Sequence, residues 1–182
     1  MVSEITNYKA KRLKLAEIAR REGLLQLEGD INNSGSRIEK YLSLFRKTLN
    51  QKLGTDYYTD LNTGFDWCGA FVYYCCIEAG FHFTPQPSDQ LSCSLALVSS
   101  WVEWASLPKN DFKLNPLSVP EPGDLVVFNK IISVLPSDHI GVLLENNETH
   151  FLVAEGNVNN RSGIFRRNKS KNINCLIRIN KY

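Results

Sequence analysis

The spacing of apolar residues changes partway along this chain of 182 residues. Up to about residue 106 apolar residues recur with helical spacing, and from about residue 120 they alternate or cluster in runs of strand length. Four prolines mark the long loop between the two parts: Pro108, Pro116, Pro120 and Pro122. Helices first and short strands second predict an α+β fold, with N-terminal helices packed on an antiparallel sheet of five to six strands.

The length of the chain fits one domain, and a hydrophobic fraction of 43% is enough for a core. We expect a single domain over residues 1–182, with a helical part at about 10–106 and a sheet part at about 120–180. Helices are predicted over residues 10–22, 37–54, 67–80 and 92–106. Ser36 and Asp66 are the predicted N-caps of the second and third helices.

The second part contains five runs with strand character. They cover residues 124–129, 139–145, 150–156, 163–167 and 173–179. Segments 146–149 and 157–163 are rich in Asn and suit hairpin turns. We therefore expect the middle three runs to pair as consecutive antiparallel strands.

Cys68 is predicted to lie in the first turn of the third helix, directly after a polar loop. The positive end of a helix dipole favours the thiolate, which is the nucleophilic form of cysteine. Buried structural cysteine is common, and that is the interpretation of the other four: Cys75, Cys76, Cys93 and Cys175. On one helix Cys68 and Cys75 lie two turns apart, too far for a disulfide or a shared tetrahedral metal, and no CxxC spacing occurs, so we predict no metal site.

Three histidines occur, and His139 is the best candidate for a partner of the thiol. It opens a predicted strand, where alternation places it on one face with Gly141. If residues 139–145 and 150–156 form a hairpin, His139 lies close to Glu155 or Asn157. A carboxylate such as Glu155 is costly to bury without a partner, and an imidazole supplies one.

A thiol, an imidazole and a polar side chain are the groups of a papain-like cysteine hydrolase. In that chemistry Cys68 attacks an amide carbonyl and His139 transfers protons, while Glu155 or Asn157 holds the ring. The backbone N–H of Cys68 is the expected oxyanion donor.

Four segments, WCGAFVYYCCIEAG, PGDLVVF, DHIGVLLE and AEGN, resemble those of the CHAP domain (cysteine/histidine-dependent amidohydrolase/peptidase), a relative of the NlpC-like murein peptidases. The resemblance implies a papain-like α+β fold and cleavage of amide bonds in peptidoglycan. It places Cys68, His139, Glu155 and Asn157 in the site, and it implies no cofactor. Some members bind calcium, but the loop QLEGDINNSGS lacks the dense acidic pattern of a calcium loop.

Two other interpretations stay open: a cytosolic thiol hydrolase or deamidase acting on a protein or small amide, and a non-catalytic binding module on the same fold.

The expected partner is peptidoglycan or a peptide, with no nucleic acid, no membrane span and a monomeric state; an immunity or delivery partner is possible. Basic residues dominate after Glu155, which suits a solvated sheet edge or attraction to an anionic polymer. The N-terminus lacks the pattern of a secretory signal. We therefore expect synthesis in the cytoplasm, with action on the cell wall after lysis or delivery, as for a phage lysin or an injected effector, or else action in the cytoplasm.

Overall fold

The computed structural model describes residues 2–182, with side chains from residue 7 onward. Four α-helices come first in the chain, in the region where helical spacing predicts them. They are α1 (Val2–Leu24), α2 (Glu39–Leu53), α3 (Cys68–Glu78) and α4 (Val98–Ser106). Two short 3-10 turns, Ile31–Asn33 and Tyr57–Thr59, lie in the loops that precede α2 and α3.

Five strands form one antiparallel sheet in the second part of the chain. They are β1 (Leu125–Phe128), β2 (His139–Asn146), β3 (His150–Val158), β4 (Arg161–Asn168) and β5 (Ile173–Ile177). Their spatial order is β4-β3-β2-β1-β5, so β1, β2 and β3 lie inside the sheet and β4 and β5 form its edges. The predicted α+β fold with an antiparallel sheet is confirmed, with five strands.

The helices cover one face of the sheet and enclose the main core. Leu125 and Val127 of β1 point into this core, which also contains the buried aromatic side chains Trp67, Trp101 and Trp104. Val126 and Phe128, the alternate residues of β1, belong to a smaller apolar cluster on the opposite face. Both faces of the central strands are therefore buried.

Two predicted helix starts are wrong. Ser36 lies in a turn, and α2 begins at Glu39 with Ile38 as the N-cap residue. Helix α3 has Trp67 at its N-cap, and no side chain caps it, because the Asp66 carboxylate accepts hydrogen bonds from two asparagines instead. Cys68 nevertheless lies in the first turn of α3, as predicted.

The predicted fourth helix is too long at its start. Residues 92–97 form turns, and α4 begins at Val98. The backbone of Leu95 forms hydrogen bonds outside a helix. Its N–H donates to the carbonyl of Pro85, and its carbonyl accepts from the Trp101 indole at 2.7 Å. Helix α1 is longer than predicted, because it begins at Val2 and not at residue 10.

Arg46 of α2 organises the loop that leads to Cys68. Its guanidinium donates to the backbone carbonyls of Tyr58, Asp60 and Thr63 at 3.0, 3.1 and 2.8 Å. It also forms two hydrogen bonds with the carboxylate of Glu39. The start of α3 is therefore tied to α2 by a buried cation.

Among residues 2–182, no helix combines the length and the apolar character that crossing a membrane requires.

Candidate active site

Cys68 is the first residue of α3, and only 2% of its surface is exposed. Close backbone packing holds this end of the helix in place. A Cβ atom on Gly69 would lie 2.5 Å from the carbonyl oxygen of Ala96, and one on Gly156 would lie 2.6 Å from the Cβ of Phe71. The first N–H groups of a helix have no acceptor within it. The N–H of Cys68 is thus free of helical hydrogen bonding beside its own thiol.

His139 and Glu155 meet on adjacent strands in the middle of the sheet. Gly141 pairs with Glu155 across β2 and β3, which confirms the predicted hairpin with a register one residue from that expected. His139 lies diagonally to Glu155, and its Nε2 is 2.7 Å from Glu155 Oε2. Gly141 makes this contact possible, because a Cβ there would lie 2.7 Å from the Cγ of Glu155.

The carboxylate fixes the protonation pattern of the neutral imidazole. An ionised carboxylate only accepts hydrogen bonds, so Nε2 carries the proton and Nδ1 carries the lone pair. Nδ1 of His139 is fully buried and has no hydrogen-bond partner among the described residues. The Cys68 thiol is close enough to the ring to raise the pKa of His139.

The charge state of His139 is set by opposing effects. Burial alone lowers the pKa of His139, but the Cys68 thiol and the Glu155 carboxylate outweigh burial and raise the pKa to about 9 from an ordinary 6.5. An imidazolium next to the sulfur is therefore favoured at neutral pH. Such a cation is the partner that a thiolate nucleophile needs.

Arg167 of β4 completes the arrangement and was missed by the sequence interpretation. Its Nε donates to Glu155 Oε1 at 2.7 Å and its Nη2 to Oε2 at 2.5 Å. Burial raises the pKa of Glu155, but the hydrogen bonds from Arg167 and His139 outweigh it and leave a net lowering. Alternation along β4 could have indicated this role from the sequence. Arg167 lies on the same face as Phe165, and β4 pairs directly with β3, the strand of Glu155.

Asn157, the other candidate for holding the ring, lies elsewhere. Its side-chain amide donates to Asp66 Oδ1 at 3.1 Å, and Asn33 donates to the same oxygen at 3.1 Å. Of the two candidates, Glu155 is the one hydrogen-bonded to His139. Asn157 instead links the end of β3 to the loop before Cys68.

A cleft of about 270 Å³ is lined by residues that neighbour this group in the chain. Asp66 comes two residues before Cys68 and Asn157 two residues after Glu155, whereas Cys68, His139 and Glu155 are not among the lining residues. Loop 129–138, which ends next to His139, supplies one wall. The lining residues are Asn33, Asp66, Ile131, Ile132, Asn157, Val158, Asn159 and Asn160.

The remaining cysteines differ from Cys68 in their surroundings. Cys75 and Cys76 are fully buried in α3, and burial raises the pKa of each thiol. Burial also raises the pKa of Cys175 on β5, and all five thiols are free. Within residues 2–182 no cluster of His, Cys, Asp and Glu has the geometry to hold a metal ion.

Comparison with known proteins adds one finding. The family model described as the CHAP domain matches residues 60–157 of this chain. That range contains the start of α3, the proline-rich loop and the first three strands. No curated protein and no solved structure gives a significant match.

Proposed function

This chain belongs to the CHAP domain family, and from that premise we propose that it hydrolyses amide bonds with Cys68 as the nucleophile. His139 is the proton carrier and Glu155 is the residue that holds its ring. The proposed substrate is an amide bond of bacterial peptidoglycan, either between sugar and peptide or within the peptide or its cross-bridge, as the sequence resemblance implies. The family is one of cysteine- and histidine-dependent amidohydrolases and peptidases, which fits this choice of residues.

The observation that carries the proposal is the orientation of the His139 ring. Glu155 occupies Nε2, so Nδ1 is left as the base, and the Cys68 thiol is close enough to the ring to raise its pKa. A ring buried for structural reasons alone would have both nitrogens paired, because an unpaired buried nitrogen costs about 1–3 kcal/mol. The arrangement is the nucleophile, base and orienting group of cysteine hydrolases.

The reaction proceeds through a covalent acyl-enzyme. In the resting ion pair Nδ1 of His139 holds the proton of the Cys68 thiol, and the thiolate attacks the amide carbonyl. The oxyanion accepts a hydrogen bond from the backbone N–H of Cys68. The imidazolium protonates the leaving amine, and the C–N bond breaks. Neutral His139 then takes a proton from water, the hydroxide attacks the thioester, and the thiol is regenerated as the acid leaves.

Digestion of purified sacculi tests both the activity and the bond. We expect the wild-type protein to release fragments whose masses, read by mass spectrometry, identify the amide that is cut. Cys68→Ala should release none. Cys175→Ala is the matched control, because it removes a buried thiol from edge strand β5 and should leave the digest unchanged.

Equal digests from the wild type and Cys68→Ala would refute the nucleophile assignment. No release by the wild type, combined with toxicity when the protein is expressed in the cytoplasm, would replace peptidoglycan with a cytosolic amide as substrate. Melting curves of each variant show whether a lost activity reflects lost folding.

A further inference from the structure

The cleft that precedes α3 contains a single charged side chain among the described residues that line it, that of Asp66, two residues before Cys68 in the chain. Its other walls are asparagine carboxamides and the aliphatic groups of Ile131, Ile132 and Val158. Asp66 is exposed, so its charge faces the space that a ligand would fill. A cleft with this lining favours a ligand that is peptide-like and carries a positive charge.

The Asp66 carboxylate is held in place without being neutralised. Asn33 and Asn157 both donate to Oδ1, and as neutral amides they leave the negative charge intact. None of the salt bridges within the described part of the chain includes Asp66. The second oxygen, Oδ2, makes no hydrogen bond to another described residue and is available to a ligand.

The surroundings of Asp66 are fixed by the fold. Asn160 accepts a hydrogen bond from the Trp67 indole at 3.0 Å and donates to the carbonyl of Asp30 at 2.7 Å, which ties the residue after Asp66 to two loops. The Trp67 ring stacks on Tyr41 with the planes 7° apart. A charge held this firmly loses little conformational freedom when a ligand binds.

We propose that Asp66 binds an ammonium group of the substrate close to the bond that is cleaved. The inference rests on the proposed function and narrows its substrate class. The Cα atoms of Asp66 and Cys68 are at most about 7 Å apart, which places the ammonium within a few residues of the carbonyl attacked by Cys68. In a stem peptide, the side-chain amine of a diamino acid or a free peptide N-terminus supplies such a group. Acylation of that amine, as in a cross-link, removes the charge.

A pair of synthetic stem peptides tests the proposal. Both contain a diamino acid next to the cleaved amide; its amine is free in one peptide and acetylated in the other. We expect the wild-type protein to cleave the free-amine peptide with a kcat/KM about tenfold higher, the factor expected from one charge-assisted hydrogen bond. Asp66→Asn should lose that preference by slowing only the free-amine peptide. Asp60→Asn, an exposed carboxylate in the same loop, is the control and should keep it.

Equal cleavage of both peptides by the wild type would overturn the proposal, as would an Asp66→Asn variant that slows both peptides alike. A binding measurement with Cys68→Ala separates this inference from the proposed function. If the wild type cleaves neither peptide, the proposed function fails. Tighter binding of the free-amine peptide by Cys68→Ala would then still support the role of Asp66, and equal binding would refute it.

Discussion

Replacing Glu155 with Gln changes the charge beside His139 while keeping the shape of the side chain. The amide oxygen of Gln can still accept a hydrogen bond from Nε2, and it can still contact Arg167. What disappears is the anion that favours the protonated ring. We therefore expect Glu155→Gln to lower the pKa of His139.

The size of this effect follows from the site. The pKa of His139 is about 9 against an ordinary 6.5, and this difference corresponds to about 3 kcal/mol in favour of the imidazolium. A hydrogen bond to a charged group contributes about 1.5–3 kcal/mol, which is roughly one to two pKa units. The variant should therefore titrate near pH 7–8, since the contribution of Cys68 remains.

Titration of the imidazole signals by NMR measures this pKa directly. The chain has three histidines, so the His139 signals are assigned among three sets of imidazole signals. Glu145→Gln is the matched control, because Glu145 lies on β2, is exposed and pairs with Arg20 instead of His139. An unchanged His139 titration in Glu155→Gln would show that the carboxylate does not set the charge of the ring.

Protonation of His139 is also linked to folding. Because its pKa is raised in the folded protein, the protonated ring stabilises the fold fully below about pH 6.5, and this contribution is lost as the pH rises through about 9. Chemical denaturation across that range should show the loss in the wild type, and a smaller loss in Glu155→Gln.

Three further substitutions have defined outcomes. Arg167→Gln removes the cation that competes for Glu155, so the His139 pKa should rise, opposite to the effect of Glu155→Gln; a fall would contradict the ion-pair geometry. Arg46→Ala should lower the free energy of unfolding, measured in urea, by about 3 kcal/mol, because it leaves the Glu39 carboxylate and three loop carbonyls without their donor. The control Lys47→Ala, at an exposed position, should change it little. Gly69→Ala should destabilise by about 1–3 kcal/mol through overlap with two backbone carbonyls; a higher melting temperature would refute that packing.

The sequence predicts the parts of this fold that depend on local periodicity. The pairing of β2 with β3, and with it the meeting of His139 and Glu155, follows from alternation and a short turn. The sequence does not predict which side chain, distant along the chain, forms a hydrogen bond with a given group. Asp66 has the chemistry of an N-cap, yet its carboxylate accepts hydrogen bonds from Asn33, in the loop before α2, and from Asn157, at the end of β3. Arg46 serves a loop more than ten residues away along the chain, which no periodic pattern encodes.

The nearly complete enclosure of the Cys68 sulfur has a consequence for how this protein meets oxidants and reagents. A sulfur with 2% of its residue surface exposed should discriminate among reagents by their size. We expect hydrogen peroxide to react with the Cys68 sulfur and bulky aromatic disulfides to be excluded by their size, although a thiolate reacts with both. If Cys68 is the nucleophile, the packing around its sulfur selects reagents by size before their chemistry matters.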